Sequence, residues 1–183
     1  MKNYLFIAFL ASAMALTSCD TDDNHVGTPN NPKIELKSHS KSPILLATTP
    51  EFSDIEIYNL LSSEDTYISN FTYGSMADGA GLLGNDDGTY TLINNIEADY
   101  AVARITLDET FKPVRGEHIL NAVATANTAQ CSGSMITPSE HGFGPLYLSG
   151  GEWGGNSKGV FATNPFRIEG DASAARMLPE RYN

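Results

Sequence analysis

Residues 85–107 read NDDGTYTLINNIEADYAVARITL, and this stretch decides the fold class. Asp87-Gly88 is a strong tight-turn pair, because glycine tolerates the positive φ that hairpin turns need. The pair feeds residues 89–95, TYTLINN, and then, past Glu97, residues 100–107, YAVARITL. In the second run Val102, Arg104 and Thr106 alternate with Ala101, Ala103, Ile105 and Leu107, a period of two that puts the two sets on opposite faces. Alternating runs joined by so few residues predict antiparallel pairing.

Outward from this hairpin the same signals recur. Residues 112–120, KPVRGEHIL, form a further strand in which Pro113 and Gly116 suit a sheet edge or a bulge. Upstream, residues 33–36, 43–49, 54–61 and 66–73 are short apolar, aromatic or β-branched runs between turn clusters, and each predicts a strand. Residues 74–84 read as a glycine-rich connection. Downstream the chain is turn-like as far as Pro145, and short strands follow at 146–149 and 159–163. Asp171 or Ser173 caps an Ala-rich helix over 172–178 that Pro179 stops. The expectation is an all-β, antiparallel domain over 33–183, a partial β-propeller or, alternatively, a β-sandwich. A propeller blade takes about 40 residues, and no clean internal repeat is visible. With no closing strand after the predicted helix, residues 33–183 read as the N-terminal part of a larger propeller.

The first residues belong to export rather than to the fold. Lys2 precedes an apolar run at 4–16, shorter than the ~20 residues that span a bilayer. It ends in Leu16-Thr17-Ser18-Cys19, the form of a bacterial lipobox. Residues 1–18 are thus expected to be a lipoprotein signal peptide, Cys19 the lipidated residue, and 19–32 an acidic, flexible tether. An exported, membrane-anchored lipoprotein follows from that reading; the acidic cluster after Cys19 favours the outer membrane and the cell surface, whereas Asp20 directly after the cysteine is, in other bacteria, an inner-membrane retention mark. Removing residues 1–18 takes away Lys2 and no acid, so the net charge passes from −11 to −12. Such a chain is no partner for nucleic acid, which is bound through clustered Lys and Arg.

With Cys19 carrying lipid, Cys131 has no disulfide partner. It is then a free thiol or metal ligand, or else a small buried hydrophobe. It opens a glycine-rich stretch, 130–161, that holds eight of the sixteen glycines and the single Trp153. Glu152 lies between Gly150-Gly151 and Trp153-Gly154-Gly155, where a carboxylate meets little crowding. Glu97 lies just past a strand end. Cys131, Glu152 and Glu97 are the candidate metal ligands; ordinary solvent-facing glutamates and turn glycines are the alternative. Other chemistries lack their motifs: there is no G-x-S-x-G elbow, C-x-x-C, H-E-x-x-H or P-loop. Asn85-Asp86-Asp87-Gly88 lacks the distal ligands of a calcium loop and reads as a hairpin turn.

Three segments, in this order, resemble the PhoX-type alkaline phosphatases and their phytase-like propeller relatives. The first is Asp78-Gly79-Ala80-Gly81 with residues 87–97, DGTYTLINNIE, similar to D-G-x-G, D-G-T and a strand ending in R-N-H-E. The second is Cys131-Ser132-Gly133 with Thr137-Pro138, similar to C-[AS]-G-G-x-T-P-W-G. The third is residues 146–152, LYLSGGE, similar to W-L-T-C-E-E. The likeness covers about residues 74–161 and implies a propeller phosphatase with iron and calcium at its centre. By that likeness Cys131 matches the iron-ligating cysteine, Glu152 a metal-ligating carboxylate and Glu97 the R-N-H-E glutamate. The implied partner is a small phosphate ester. The departures are Asn94 for the arginine, Ile96 for the histidine, Ser139 for the tryptophan, and a glycine before Glu152. The family's other ligands would lie beyond Asn183, so this chain alone is expected to be inactive. A non-catalytic surface lipoprotein with a β-rich binding or scaffold module is the alternative function.

Overall fold

The computed structural model describes residues 34–63, 65, 68, 70–152, 159–168 and 175–177. Eight strands form two antiparallel sheets, each in simple up-and-down order. The first sheet holds β1 (Ala77–Gly84), β2 (Tyr90–Ile96), β3 (Ala101–Leu107) and β4 (Pro113–Leu120). The second holds β5 (Gln130–Ile136), β6 (Leu146–Gly151), β7 (Gly159–Thr163) and the short β8 (Ala175–Met177). The expected all-β antiparallel class is the observed one. Two four-stranded meanders that do not close into a barrel accord with both forms of that expectation, partial propeller and sandwich.

The hairpin predicted at Asp87-Gly88 joins β1 to β2. Gly88 takes φ +84, its N–H donates to the Asn85 carbonyl at 3.1 Å, and the Asn85 N–H donates to the Thr89 carbonyl at 2.9 Å. The Asp87 carboxylate accepts from the Thr89 N–H and hydroxyl, which closes the turn. β2 and β3 pair in unbroken register from Tyr90↔Leu107 to Ile96↔Ala101. Alternation on β3 sorts its side chains as the sequence predicts. Ala101, Ala103, Ile105 and Leu107 pack into a core with Ile96, Ile68 and Phe71 on one face of the first sheet. On the other face Val102, Ile93, Ile119, Leu120 and Tyr147 form a second core between the sheets. Each fully buried aliphatic or aromatic side chain here is worth about 1.5–3 kcal/mol.

Among the described residues, the predicted strands upstream of β1 are not formed. Described residues at 34–36, 43–49, 54–61 and 70–73 are extended or turned but pair with no strand, and Pro50–Phe52 is a 3₁₀ turn. Pro43 and Pro50 remove ladder donors from this segment. Its apolar side chains serve instead as a cover, Leu61, Phe71 and Tyr73 packing on the first sheet. The connection read at 74–84 is in fact β1, and the turn-like region before Pro145 contains β5 and the four-residue helix α1 (Pro138–His141). The helix predicted over 172–178 gives way, over Ala175–Met177, to β8, which pairs with β7 from Phe161 to Thr163. The open edge of β7 offers Ala175–Met177 backbone partners, and that pairing outweighs the helix propensity of alanine. The remaining residues of that predicted helix, together with residues 1–33 and Trp153, lie outside the described residues. No described helix is long and apolar enough to cross a membrane.

Candidate metal centre

The two sheets meet along their first strands, β1 and β5, and the closest approach is backbone to backbone. A Cβ on Gly79 would lie 2.3 Å from the Gly133 nitrogen and 2.7 Å from the Cys131 carbonyl oxygen. Only a hydrogen at Gly79 permits that spacing. Each of these strands carries an irregularity at the same point. On β1 the register runs from Ala77↔Ile96 to Ala80↔Asn94, three residues opposite two. On β5 it runs from Gln130↔Gly151 to Gly133↔Ser149, again three opposite two. An extra residue bends a strand and re-aims its side chain. Asp78 sits in the first bulge and Cys131 in the second.

Glu97 completes the group. It follows β2 at the start of a 3₁₀ turn, Glu97–Asp99, that Tyr100 ends in the left-handed conformation. Its N–H donates to the Met76 carbonyl at 3.1 Å, which holds it beside β1. The carboxylate oxygens of Asp78 and Glu97 and the Cys131 sulfur all lie within 4.8 Å of one another. Bonds of about 2.0–2.3 Å place two donors on one transition metal at most about 4.6 Å apart, so a small inward movement suffices. Asp78 is exposed, and Glu97 and Cys131 are half-buried. Burial, a hydrogen bond to the Glu97 carboxylate and the charges of Glu97, Glu152 and Asp78 push the Cys131 thiol up to about 12. The metal-free group therefore keeps its proton, and the acidic residues that raise the thiol are those a cation would neutralise.

Of the three residues singled out from sequence, Glu97 and Cys131 come together. Glu152 is exposed just past β6, with its N–H on the Ala129 carbonyl at 3.0 Å. It acts on the thiol through its charge and is not one of the three converging donors. Asp78 was missed as a ligand. It opens the Asp78-Gly79-Ala80-Gly81 segment quoted above, and the local signal it carries is an acid before a glycine inside what proved to be a strand, the composition of a bulge. Cys131 is a free thiol.

Compared with known proteins, the chain matches no family model, no curated protein and no solved structure. The chemistry of the centre thus rests on its own geometry.

Around the donors lies a layer of amides and phenols. Asn94 and Asn95 are adjacent on β2 and face opposite sides of the first sheet. Asn94 Nδ2 donates to the Asp78 and Gly79 carbonyls at 2.9 and 3.0 Å, and its Oδ1 accepts from the Tyr73 hydroxyl. Asn95 Nδ2 donates to the Ser132 carbonyl at 3.0 Å. These are carbonyls that the two bulges release from the ladders. A separate groove of about 880 Å³ lies at the hairpin end of the first sheet, lined by Asp87, Thr89, Arg104, Arg115, Glu117 and Phe166 among others. From Asp78 to Gly84 the strand runs about 20 Å, so that groove is not the surroundings of the centre. Its arginines are engaged there: Arg104 and Arg115 pair with Glu117 at 2.8 and 3.2 Å.

Proposed function

We propose that the chain is an exported, lipid-anchored β protein that binds a metal cation through Asp78, Glu97 and Cys131, in the manner of PhoX-like phosphohydrolases. The observation that carries this reading is the convergence of one thiol and two carboxylates from both sheets within 4.8 Å. The donor set fits a metal that accepts sulfur, such as iron or zinc. It does not by itself fit calcium, which takes six to eight oxygens, since one of the three donors is a sulfur and only two are carboxylates. Bound there, the cation would supply Lewis-acid polarisation of a phosphoryl oxygen. The chain's own part is to release the Cys131 proton to solvent as the cation is taken up, while the Glu97 carboxylate, its hydrogen-bond acceptor, orients the thiol and stays ionised as a donor. The acidic surroundings then favour a cation and disfavour a free phosphate ester.

A second reading, a binding module without turnover, has one observation in its favour. The described arginines of the first sheet, Arg104 and Arg115, are held on Glu117 and not at the centre, where a phosphate clamp would need them. Elemental analysis of the purified full chain, with and without Cys131→Ala, tests the centre. Stoichiometric iron or zinc lost in the variant supports it, and a folded, metal-free wild type sinks it. Hydrolysis of a small aryl phosphate that disappears in Cys131→Ala selects the phosphohydrolase. Bound metal without hydrolysis selects the binding module.

A further inference from the structure

We infer that Tyr147 and Asn95 are positioning residues of this centre, which hold its two ligand-bearing bulges in register across the seam; the inference rests on the metal-binding reading above. Tyr147 lies on β6 and is wholly buried. Its hydroxyl reaches the Gly79 carbonyl at 2.8 Å and Asn95 Oδ1 at 3.0 Å. Asn95, also wholly buried, passes the link on through Nδ2 to the Ser132 carbonyl at 3.0 Å. The result is a continuous polar chain from β1 through Tyr147 and Asn95 to β5.

Every contact in that chain is next to a donor. Gly79 follows Asp78, Ser132 follows Cys131, and Asn95 stands two residues before Glu97. A Cβ on Gly133 would lie 2.3 Å from the Tyr147 hydroxyl, so a glycine in the second bulge is what admits it. An apolar ring in the same place would fill the core equally well. What the hydroxyl adds is direction: it fixes where two displaced carbonyls sit, and hence where the neighbouring Asp78 and Cys131 side chains leave the backbone. Partners of this kind set ligand orientation, and their loss costs about 10–100-fold in metal affinity.

Tyr147→Phe removes the hydroxyl and keeps the ring. The Gly79 carbonyl retains its Asn94 partner, so the variant is expected to fold. The test is a Co²⁺ titration of the full chain, read by the thiolate-to-cobalt charge-transfer band that Cys131 supplies. The matched control is Thr91→Val, which deletes another buried hydroxyl contact, to the Asn85 side chain at 3.1 Å, at the hairpin end of the first sheet. Tyr147→Phe is expected to weaken Co²⁺ binding about 10–100-fold and to shift the band. Thr91→Val is expected to lower the melting temperature while leaving affinity and band unchanged. Equal loss of affinity in both variants, or none in Tyr147→Phe, overturns the positioning role and leaves the centre standing. Absence of the band in the wild type overturns the centre, and this inference with it. Should Tyr147→Phe not fold, Asn95→Ser carries the same comparison.

Discussion

Replacing Gly79 by alanine probes the seam directly. The added methyl would stand 2.3 Å from the Gly133 nitrogen and 2.4 Å from the Ser132 carbonyl carbon. Ordinary contact begins about 1 Å further out, and the atoms met are backbone, which cannot rotate away. The strands must separate, and overpacking of this kind costs about 1–3 kcal/mol, here at the upper end. Against this, alanine in place of glycine inside a strand returns roughly 0.5–1 kcal/mol. The net loss is about 2 kcal/mol, or about 4–8 °C in melting temperature for a chain of this size. Gly84, on the same strand, has nothing nearer than a Tyr90 ring carbon at 4.0 Å. Gly84→Ala should therefore be neutral or slightly stabilising. Thermal unfolding of the two variants beside the wild type decides the matter. If Gly79→Ala melts with or above Gly84→Ala, the two strands do not approach as described, and the construction of the centre falls with them.

Two further outcomes follow from charge. With the Cys131 thiol pushed up to about 12 from 9.0, its thiolate fraction near pH 8 is about 1,000-fold below that of an ordinary thiol. Alkylation by iodoacetamide in the metal-free chain should be slower by about that factor, and Glu97→Gln should speed it; a rate equal to that of a small thiol would show that the acidic group is not assembled. Asp65 is buried beneath the N-terminal cover, and its carboxylate accepts from the Lys41 N–H at 2.9 Å and the Ser62 N–H at 2.8 Å. Burial pushes that carboxyl up, but these bonds and the Ser40 and Ser62 hydroxyls outweigh it and hold the carboxyl below its usual range. The stabilisation is thus in force above the ordinary carboxylate range near pH 4 and fades as pH falls through the lowered value. Amide exchange at Lys41 and Ser62 should show an acid-induced loss of protection that Asp65→Asn lacks, and identical profiles would disprove the clamp.

The central hairpin was legible because its information is local. Asp87-Gly88 sets the turn, and the alternation of Ala101, Ala103, Ile105 and Leu107 sets the face. β1 and β5 were not legible, because their glycines serve an approach between distant strands, and composition alone cannot tell that use from a turn. The reverse error arose at 43–49, 54–61 and the described residues 70–73, where aromatic and branched residues met strand propensity but joined no sheet edge. At the centre, Cys131 stood out through cysteine counting and Glu97 through its place after a strand. Asp78 did not, because a bulge is a property of register, and register belongs to the pair.

The donors do not belong to one sheet: Asp78 and Glu97 come from the first, Cys131 from the second. Left bare, the seam gathers carboxylates that repel one another at the point where the two halves must touch. A cation taking all three donors would act as a rivet between the halves. By mass action, ligand at a hundred times its dissociation constant would add about 2.7 kcal/mol to the folded state. Resistance to shearing one sheet past the other would then track the metal supply, the cation adding to the core and the Tyr147–Asn95 link that already join the sheets.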